Sequence, residues 1–455
     1  MLASNHSLKA PDPMPPIVSG SATPIPPATP ATSPARCVKT DLLGMAEKFA
    51  GWMDRAGYAS FDPYDLWGTK YGLWARKTYY ERGVLGVPLI APVLLVEILM
   101  PGVRRFLVKK ERFATADAQL LLGFLNLFAV TTERKYLAKA IGLADDLLGY
   151  AIPGYRGLCW GYPFDWQTNK GMWKKNTPFI TSTPYCFEAF LGLYDATGEA
   201  RYLEWAASIA EFVYWDLKDT VTGSDSSAGS YSPHDQTKVI NASAYRAFVL
   251  IEAAERLGRP EFKSKALRNL RFILENQRAD GAWLYAIANP AEAFIDHFHT
   301  CFVLKNLFKL NRRLNSGEVR QAIEKGYAYY RRSLFDGRDH PKSFAIEPRR
   351  QIVRLEMYNV AEAITLGALL GPEVPEALAL ADTLACRLGG EYQLSAGHFI
   401  TRIYQGGRRH TLPFMRWPQA QLFYATTNLL AQKNLSSDQR LASPRTPAAA
   451  AVFEN

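Results

Sequence analysis

Asp296, His297 and His299 stand together in the stretch "FIDHFHTC", between two segments whose apolar residues recur at helical spacing. Asp296 is placed to cap the second of these helices, so that both histidines fall in its first turn. The partial positive charge of a helix N-terminus favours a neutral imidazole. A neutral His299 beside Tyr285 has the groups needed to take a proton from the carbon next to a carboxylate and to protonate a leaving oxygen. The alternative is that both histidines are cap or packing residues, and the sequence leaves this open.

Trp283 and Tyr285 precede this group in "DGAWLYA". They alternate along an extended segment, so both side chains point to the same side. We predict that Trp283 and His297 bind substrate, whereas Asp296, His299 and Tyr285 act on it. The His-x-His spacing lacks a third ligand close in sequence, and no phosphate-binding or dinucleotide-binding motif is present, so we predict no metal and no cofactor.

A second group of aromatic residues surrounds an acid in "CWGYPFDWQ". Trp160, Tyr162, Trp166 and Gln167 are predicted to form a binding wall around Asp165, because indole rings are large and amphipathic. Apolar neighbours would raise the pKa of a buried Asp165 and suit it to acid catalysis. The alternative is a packed loop in which Asp165 caps the next helix.

Two further groups lie near the C-terminus, each at the start of a predicted helix. "RLEMYNVAEA" supplies Glu356 and Tyr358 as candidate catalytic residues, and "RHTLPFMRWPQAQ" supplies Arg416, Trp417 and Gln419 as candidate binding residues. Arg416 can clamp a carboxylate through two parallel hydrogen bonds. A structural salt bridge explains Arg416 equally well.

The elements that must position these residues form a repeat. "LGLYDATGEARYLEWAASIAEFVYWDL" ends one helix, turns and begins an amphipathic second helix, and four other segments follow the same plan. Tyr136, Tyr202 and Phe262 recur near the start of the second helix. The segment "DLLGMAEKFAGWMDRAGY" can supply a sixth second helix. Six hairpins without a strand-rich region predict an all-α fold, an (α/α)6 toroid with short turns on one face and long aromatic loops on the other.

Composition and charge limit the possible domain organisation and the possible classes of partner. The chain has 455 residues, 48% of them hydrophobic, and a net charge of +10. We predict a Pro/Ser/Thr-rich disordered tail over residues 1–38, a single toroid domain over 39–434 and a second tail over 435–455. The charge favours an acidic partner, and the absence of a Lys/Arg tract argues against nucleic acid.

An apolar and basic insertion is predicted over residues 84–113. It is interrupted by prolines and by Glu97, so it is short for a bilayer span. It is either a buried segment or a membrane-surface anchor whose basic residues meet anionic lipid. Five widely spaced cysteines without a C-x-x-C pair predict reduced thiols, and we therefore predict a cytoplasmic protein. If the insertion is an anchor, the protein makes peripheral contact with the inner membrane.

The hairpin phrase "YDATGEARYLEWA" resembles the (α/α)6 toroids of glycan chemistry, among them unsaturated glucuronyl hydrolases, sugar 2-epimerases and alginate-type lyases. The phrases "GLCWGYPFDWQ", "IDHFHTCFVL" and "RWPQAQLFYA" resemble bacterial exopolysaccharide-locus proteins of the Vps type, over about residues 58–425. This resemblance implies a glycan-active enzyme linked to polysaccharide biosynthesis and acting on an acidic or surface polysaccharide or its precursor. The alternative is a non-catalytic glycan-binding or scaffold subunit.

The type of reaction stays open among hydrolysis, elimination and epimerisation. Hydrolysis requires two carboxylates about 5–10 Å apart, for which Asp165, Asp296 and Glu356 are candidates. Elimination or epimerisation would use His299 with Tyr285 or Tyr358, and Arg416 would neutralise the sugar acid.

Overall fold

The computed structural model describes residues 40–287, 292–348 and 351–442, with the backbone alone for 436–442. The tail predicted over residues 1–38 lies outside the described residues. The described residues contain fifteen α-helices: α1 (Leu42–Ala56), α2 (Lys70–Arg82), α3 (Val87–Leu99), α4 (Arg104–Leu107), α5 (Ala114–Thr131), α6 (Arg134–Gly149), α7 (Thr183–Thr197), α8 (Ala200–Trp215), α9 (Ile240–Arg256), α10 (Phe262–Glu275), α11 (His297–Leu314), α12 (Gly317–Ser333), α13 (Met357–Leu370), α14 (Pro375–Arg387) and α15 (Ala420–Ala442).

Nine short strands lie in the loops between these helices. They are β1 (Trp166–Thr168), β2 (Gly171–Trp173), β3 (Asp219–Val221), β4 (Ser227–Gly229), β5 (Ile295–Asp296), β6 (Phe344–Ile346), β7 (Val353–Glu356), β8 (Arg402–Tyr404) and β9 (Arg409–His410). All pairings are antiparallel: β1 with β2, β3 with β4, β5 with β6, and a three-stranded sheet in the order β7-β8-β9.

Twelve of the helices form a double ring, which confirms the predicted toroid. The inner ring is α5, α7, α9, α11, α13 and α15, and it closes because α15 packs against both α5 and α13. The outer ring is α6, α8, α10, α12, α14 and α1, with α1 packed on α15 as the sixth second helix. The inner helices are apolar on most faces, as α13 illustrates with thirteen buried residues.

The repeat in the sequence corresponds to the contact between inner and outer helices. Tyr136, Tyr202 and Phe262 are each buried near the start of an outer helix. Gly367 of α13 allows α14 to approach closely, since a Cβ there would lie 2.4 Å from the carbonyl oxygen of Ala377. The large core follows from these close helix contacts.

Chain direction places the loops as predicted. Short turns join each inner helix to the following outer helix, for example through Gly198 and Asn315, both with positive φ. Long loops lead back from each outer helix to the next inner helix. The N-termini of the inner helices therefore meet at the mouth that carries the long loops and the short strands.

The insertion is larger than the predicted range of 84–113. It begins with α2 and includes α3 and α4, all of which lie between α1 and α5. Two segments of the described chain are apolar and long enough to cross a bilayer: residues 70–99, with 17% of the most apolar window buried, and α5, with 67% buried. The second is an inner-ring helix, whereas the first is largely exposed.

Two predictions need correction, one on the end of the domain and one on the cysteines. Helix α15 runs to Ala442, past the predicted domain end at 434. Cys159, Cys186 and Cys301 are free and buried, as predicted for reduced thiols. Cys386 is disulfide-bonded, so the cysteine pattern no longer supports a reducing compartment.

Candidate active site

A hydrogen-bonded Asp–His pair lies at the start of α11. Asp296 caps the helix, because its Oδ1 accepts a hydrogen bond from the backbone N–H of His299 at 3.0 Å. Its Oδ2 lies 2.6 Å from Nδ1 of the same His299 ring. If Nδ1 carries the proton, Nε2 of the neutral imidazole is left with the lone pair. Nε2 has no hydrogen-bond partner among the described residues, and the side chain is 17% exposed.

Tyr285 lies directly against this imidazole, with the two ring centroids 4.5 Å apart. Phe294 also stacks on the tyrosine ring at 4.8 Å, and its ring centroid lies 6.3 Å from that of the imidazole. Burial raises the pKa of Tyr285, and the charges of Glu292 and Asp296 raise it further. The phenol therefore stays protonated, so it can act as a hydrogen-bond or proton donor and does not act as a base.

Glu356 and Arg402 form a second group of charges one inner helix away. Glu356 ends β7 immediately before α13 and pairs in register with Arg402 of β8. Arg402 Nε lies 3.3 Å from Glu356 Oε2, while Glu356 Oε1 is buried without a hydrogen-bond partner in the described part of the chain. Burial raises the pKa of Glu356 to about 7, against the lowering effect of Arg402. Glu97 nearby adds to the increase.

Two adjoining cavities open at this mouth. One of about 450 Å³ is lined by Trp67, Arg76, Phe298, Glu356, Arg402 and Trp417. The other, of about 180 Å³, is lined by Trp166, Lys170, Trp173, Tyr231, Tyr285 and Glu292. Both cavities are lined by Arg76 and Tyr80, so they form one cleft.

Arg76 is the cation between the two cavities. Its Nε donates to the Tyr80 hydroxyl at 3.2 Å, and its guanidinium lies 5.3–5.8 Å from the ring centroids of Tyr64, Trp67 and Tyr80. Its Nη1 is buried without a partner among the described residues. A guanidinium with a free N–H in an aromatic pocket suits a carboxylate or phosphate group of a ligand.

The floor between the cavities is a cluster of aromatic rings. Trp417 stacks on Tyr358 with centroids 3.9 Å apart. Phe298 meets both of these rings edge-on, at 5.3 Å from Trp417 and 5.4 Å from Tyr358. Trp417 is partly exposed to the cleft, whereas Tyr358 is 4% exposed and supports it from below.

Four of the predicted binding residues lie in the core and not in the cleft. Trp160 and Trp283 donate their indole N–H groups to the carbonyls of Leu147 and Ile273, in the last turns of α6 and α10. His297 lies 2.9 Å from the Tyr330 hydroxyl, and burial lowers its pKa to about 3. Gln419 bonds to both backbone groups of Phe399. These residues are buried, and hydrogen bonds inside the protein hold them, so they are removed from the candidate binding set.

Arg416 is also paired inside the protein. Its Nε and Nη2 each lie 2.7 Å from a carboxylate oxygen of buried Asp62, so the predicted carboxylate clamp is a structural salt bridge. The same guanidinium lies 4.8 Å from the ring centroid of Tyr162. Tyr162 and Arg416 thus support the aromatic wall from behind.

The predicted acid Asp165 is committed to its own loop. Its Oδ1 accepts from the backbone N–H of Lys175 at 2.7 Å, and Lys174 lies 3.8 Å from the other oxygen. It therefore fastens the β1–β2 hairpin and caps no helix. Gln167, in β1, donates to the Thr168 carbonyl and is buried. Of this loop, Trp166 is the predicted residue that lines the cleft.

Asp296, His299 and Tyr285 meet at a small pocket of about 10 Å³. Tyr285 also lines the adjoining cleft, together with Trp166, Glu356 and Trp417, and Tyr358 lies beneath Trp417. Arg402, Arg76, Lys170 and Glu292 were missed. Arg402 is brought to the site by the pairing of its strand with the strand of Glu356, and Lys170 forms an ion pair with Glu292 at 2.8 Å. Neither pairing leaves a local pattern in the sequence. No group of three or more His, Cys, Asp or Glu residues in the described ranges is arranged to hold a metal ion.

Comparison with known proteins finds likeness in structure alone. No protein-family model and no curated protein matches the chain. A family 76 glycoside hydrolase from a bovine Bacteroides thetaiotaomicron strain superposes with a TM-score of 0.57 at 9% identity, covering 88% of this chain and 78% of that one. Cellobiose 2-epimerase from Spirochaeta thermophila DSM 6192 gives 0.55 at 12% identity, covering 72% and 87%. A D-mannose isomerase gives 0.52 at 12% identity, covering 71% and 87%. At these identities the likeness establishes the fold.

Proposed function

We propose that the protein is a glycan-active enzyme that moves a proton at a sugar carbon, by epimerisation or elimination, on an acidic glycan. The observation that carries this proposal is the Asp296–His299 pair with Tyr285 against its ring, next to an open aromatic cleft. Structural neighbours that act on sugars by epimerisation, isomerisation and hydrolysis support a carbohydrate substrate.

His299 is the base in this proposal. Its Nε2 takes the proton from the carbon next to the sugar carboxylate, and Asp296 stabilises the imidazolium that results. Tyr285, kept protonated by burial, donates a proton to the oxygen that leaves or to the oxygen that gains charge. Glu356, with its pKa raised to about 7, is a second group able to exchange protons near neutral pH.

The acidic substrate is supported by the cations of the cleft. Arg76 offers an unpartnered N–H group. Lys170 lines the smaller cavity and Arg402 the larger one, each beside a carboxylate of the protein. Charge that develops on a carboxylate during proton abstraction is stabilised by such fixed cations. The net charge of +10 favours the approach of an anionic polymer.

Hydrolysis is less well supported than proton transfer. It requires two free carboxylates facing each other across the cleft. Asp296 is bound to His299, Asp165 is bound within its own loop, and Glu356 is paired with Arg402. The candidate carboxylates therefore do not form a free pair.

The sequence resemblance adds a biological setting to this proposal. We assign the activity to bacterial polysaccharide biosynthesis, on a surface polysaccharide or its precursor, with the protein in peripheral contact with a membrane. The cytoplasmic location stays a prediction, as does the absence of a nucleic-acid partner.

The test is incubation of the full chain with a panel of uronate oligosaccharides in deuterated water. Epimerisation places deuterium on the sugar carbon without breaking a bond, and elimination produces an unsaturated sugar that absorbs in the ultraviolet. Either result supports the proposal. New reducing ends without absorbance or deuterium would replace it with hydrolysis, and glycan binding without any product would replace it with the non-catalytic subunit.

A further inference from the structure

The segment of residues 70–110, named the arm here, carries an exposed apolar surface. It comprises α2, α3, α4 and their turns, and α2 packs against α3. Val84 and Leu85, at the turn between α2 and α3, are 83% and 80% exposed. The other large apolar side chains exposed along the arm include Trp74, Leu95, Leu99 and Phe106. An exposed apolar surface of this extent indicates a binding partner.

The arm also holds most of the net charge of the protein. Residues 70–110 include eight basic and two acidic residues, a net charge of +6 out of the +10 of the chain. Six of the basic side chains are exposed: Lys70, Lys77, Arg82, Arg105, Lys109 and Lys110. Apolar side chains flanked by exposed lysine and arginine match the surface of an anionic bilayer.

The break between α2 and α3 favours an arm that lies on a bilayer over one that crosses it. The apolar range of residues 70–99 is divided by Gly83, with a φ of 56°, into two helices of 13 residues each. A spanning helix needs about 20 residues. Pro92 lies inside α3, and buried Glu97 faces the protein.

Ion pairs fix the arm to the cleft. Arg104 of the arm is fully buried, and it binds Asp65 at 2.8 Å and also Glu97. Glu97 in turn lies 3.6 Å from Arg402, the partner of Glu356. The inner side of the arm supplies Arg76, Tyr79, Tyr80 and Leu94 to the wall of the larger cavity. The apolar surface and part of the cleft wall thus lie on the same segment.

We propose that the arm docks the protein on an anionic lipid bilayer, and that the glycan enters the cleft while it is held at that surface on a lipid carrier. The wall of the cleft and the docking surface are two sides of the same helices, so docking brings the mouth to the bilayer. Arg76 is placed to meet an acidic or phosphate group of such a substrate. The statement on the substrate rests on the proposed reaction, whereas the statement on docking rests on the surface of the arm alone.

Docking is tested by sedimentation of the full chain with phosphatidylcholine vesicles, with and without phosphatidylglycerol. We expect binding that requires phosphatidylglycerol and weakens with salt. Val84→Ser with Leu85→Ser should weaken it about tenfold, and Lys109→Gln or Lys110→Gln about fivefold each. Val221→Ser with Leu267→Ser, at exposed apolar positions outside the arm, is the matched control and should bind like the unmodified chain.

Two results would overturn docking. One is equal binding by the arm variant and the control, or no binding by either. The other is a dimer in light scattering that Val84→Ser with Leu85→Ser dissociates, without vesicle binding, which would assign the surface to a second copy of the chain.

The substrate class is tested by comparing one uronate glycan free in solution with the same glycan on a lipid anchor in the vesicles. We expect the arm variant to keep the rate on the free glycan and to lose about tenfold on the anchored one. Equal rates on both forms for both proteins would overturn the lipid-linked substrate. Vesicle binding without activity on either form would overturn the proposed function and leave docking intact.

Discussion

The two mouths of the ring enclose cavities of the same size but differ in how completely their polar groups are paired. The cavity on the short-turn side also measures about 450 Å³. There, cations meet carboxylates: Lys305 lies 2.5 Å from Glu362, Lys309 lies 2.5 Å from Glu188, and Arg313 forms two hydrogen bonds with Glu252.

At the long-loop mouth, polar atoms are left without protein partners. Glu356 Oε1, Arg76 Nη1 and Trp166 Nε1 are buried without a hydrogen bond among the described residues. Buried polar groups are normally satisfied, so atoms left over in a cleft indicate a ligand that completes them. Cavity volume therefore does not distinguish the two mouths, whereas the presence of polar groups without a partner does.

The largest expected effect is on the rate of reaction and concerns His299. We expect His299→Gln to lower the turnover number about 10³-fold, because it removes the base that Asp296 orients. His340 is a matched control, since its Nδ1 lies 3.1 Å from Asp336 in a half-exposed loop pair that lines neither the cleft nor the small pocket at Asp296 and His299. His340→Gln should keep full activity in the deuterium or absorbance assay. Equal loss of activity in both variants would mean that the reaction does not take place at the cleft.

An effect of comparable free energy is expected at the short-turn mouth, but there it concerns the stability of the fold and not the rate of reaction. Lys305→Met leaves Glu362 buried without its cation, which should lower the free energy of unfolding by about 3–5 kcal/mol. The rate per folded molecule should stay unchanged, because the pair lies at the mouth that we assign to structure. The double variant Lys305→Met with Glu362→Gln should recover much of the loss in denaturant unfolding. A variant that is stable but inactive would show that the short-turn cavity takes part in catalysis.

A smaller effect is expected in the pH dependence of stability. The pKa of Glu356 is about 7 in the folded protein and near 4.5 in an unfolded chain. Between these values the folded state keeps a proton that the unfolded state releases, so this contribution is present below about pH 4.5 and is lost as the pH rises through 7. Its size is on the order of 3 kcal/mol.

Glu356→Gln should remove this part of the pH dependence in unfolding experiments. It should be more stable relative to the unmodified chain at pH 8 than at pH 5. Glu318→Gln, at a side chain that is 55% exposed, should follow the unmodified chain at every pH. Parallel curves for Glu356→Gln and the unmodified chain would mean that Glu356 is ionised throughout.

The sequence was sufficient for the ring and for part of the site. Helical periodicity and the recurrence of Tyr136, Tyr202 and Phe262 predict the hairpins, because each hairpin buries the same local pattern. The Asp296 cap is also local, since cap and helix are adjacent in sequence. These features require no knowledge of distant contacts.

The remaining part of the site depends on long-range contacts. Trp160 and Trp166 stand in the same loop phrase, yet one indole binds the end of α6 and the other faces the cleft. Arg416 and Arg402 look equally able to clamp a carboxylate. Asp62 saturates the first with two hydrogen bonds, while the second reaches Glu356 only through the pairing of β7 with β8. Residue type and spacing do not encode such partners.

The smallest expected effect concerns Trp166, and it tests whether the aromatic wall binds the glycan. Trp166 lies 5.8 Å from Tyr64 and 5.9 Å from Tyr162, measured between ring centroids, and it keeps an unpartnered indole N–H in the cleft. Trp166→Ala should raise the Michaelis constant or the dissociation constant for the glycan about tenfold, at the scale of one lost aromatic contact with a hydrogen bond. Turnover at saturation should change little, because the ring holds the substrate and does not exchange protons. Trp215→Ala, at an indole that is 54% exposed on the outer ring, should leave both constants unchanged. If the two variants behave alike in calorimetric titration with uronate oligosaccharides, the unsatisfied indole of the long-loop mouth does not mark a ligand, and the contrast between the two mouths loses its functional meaning.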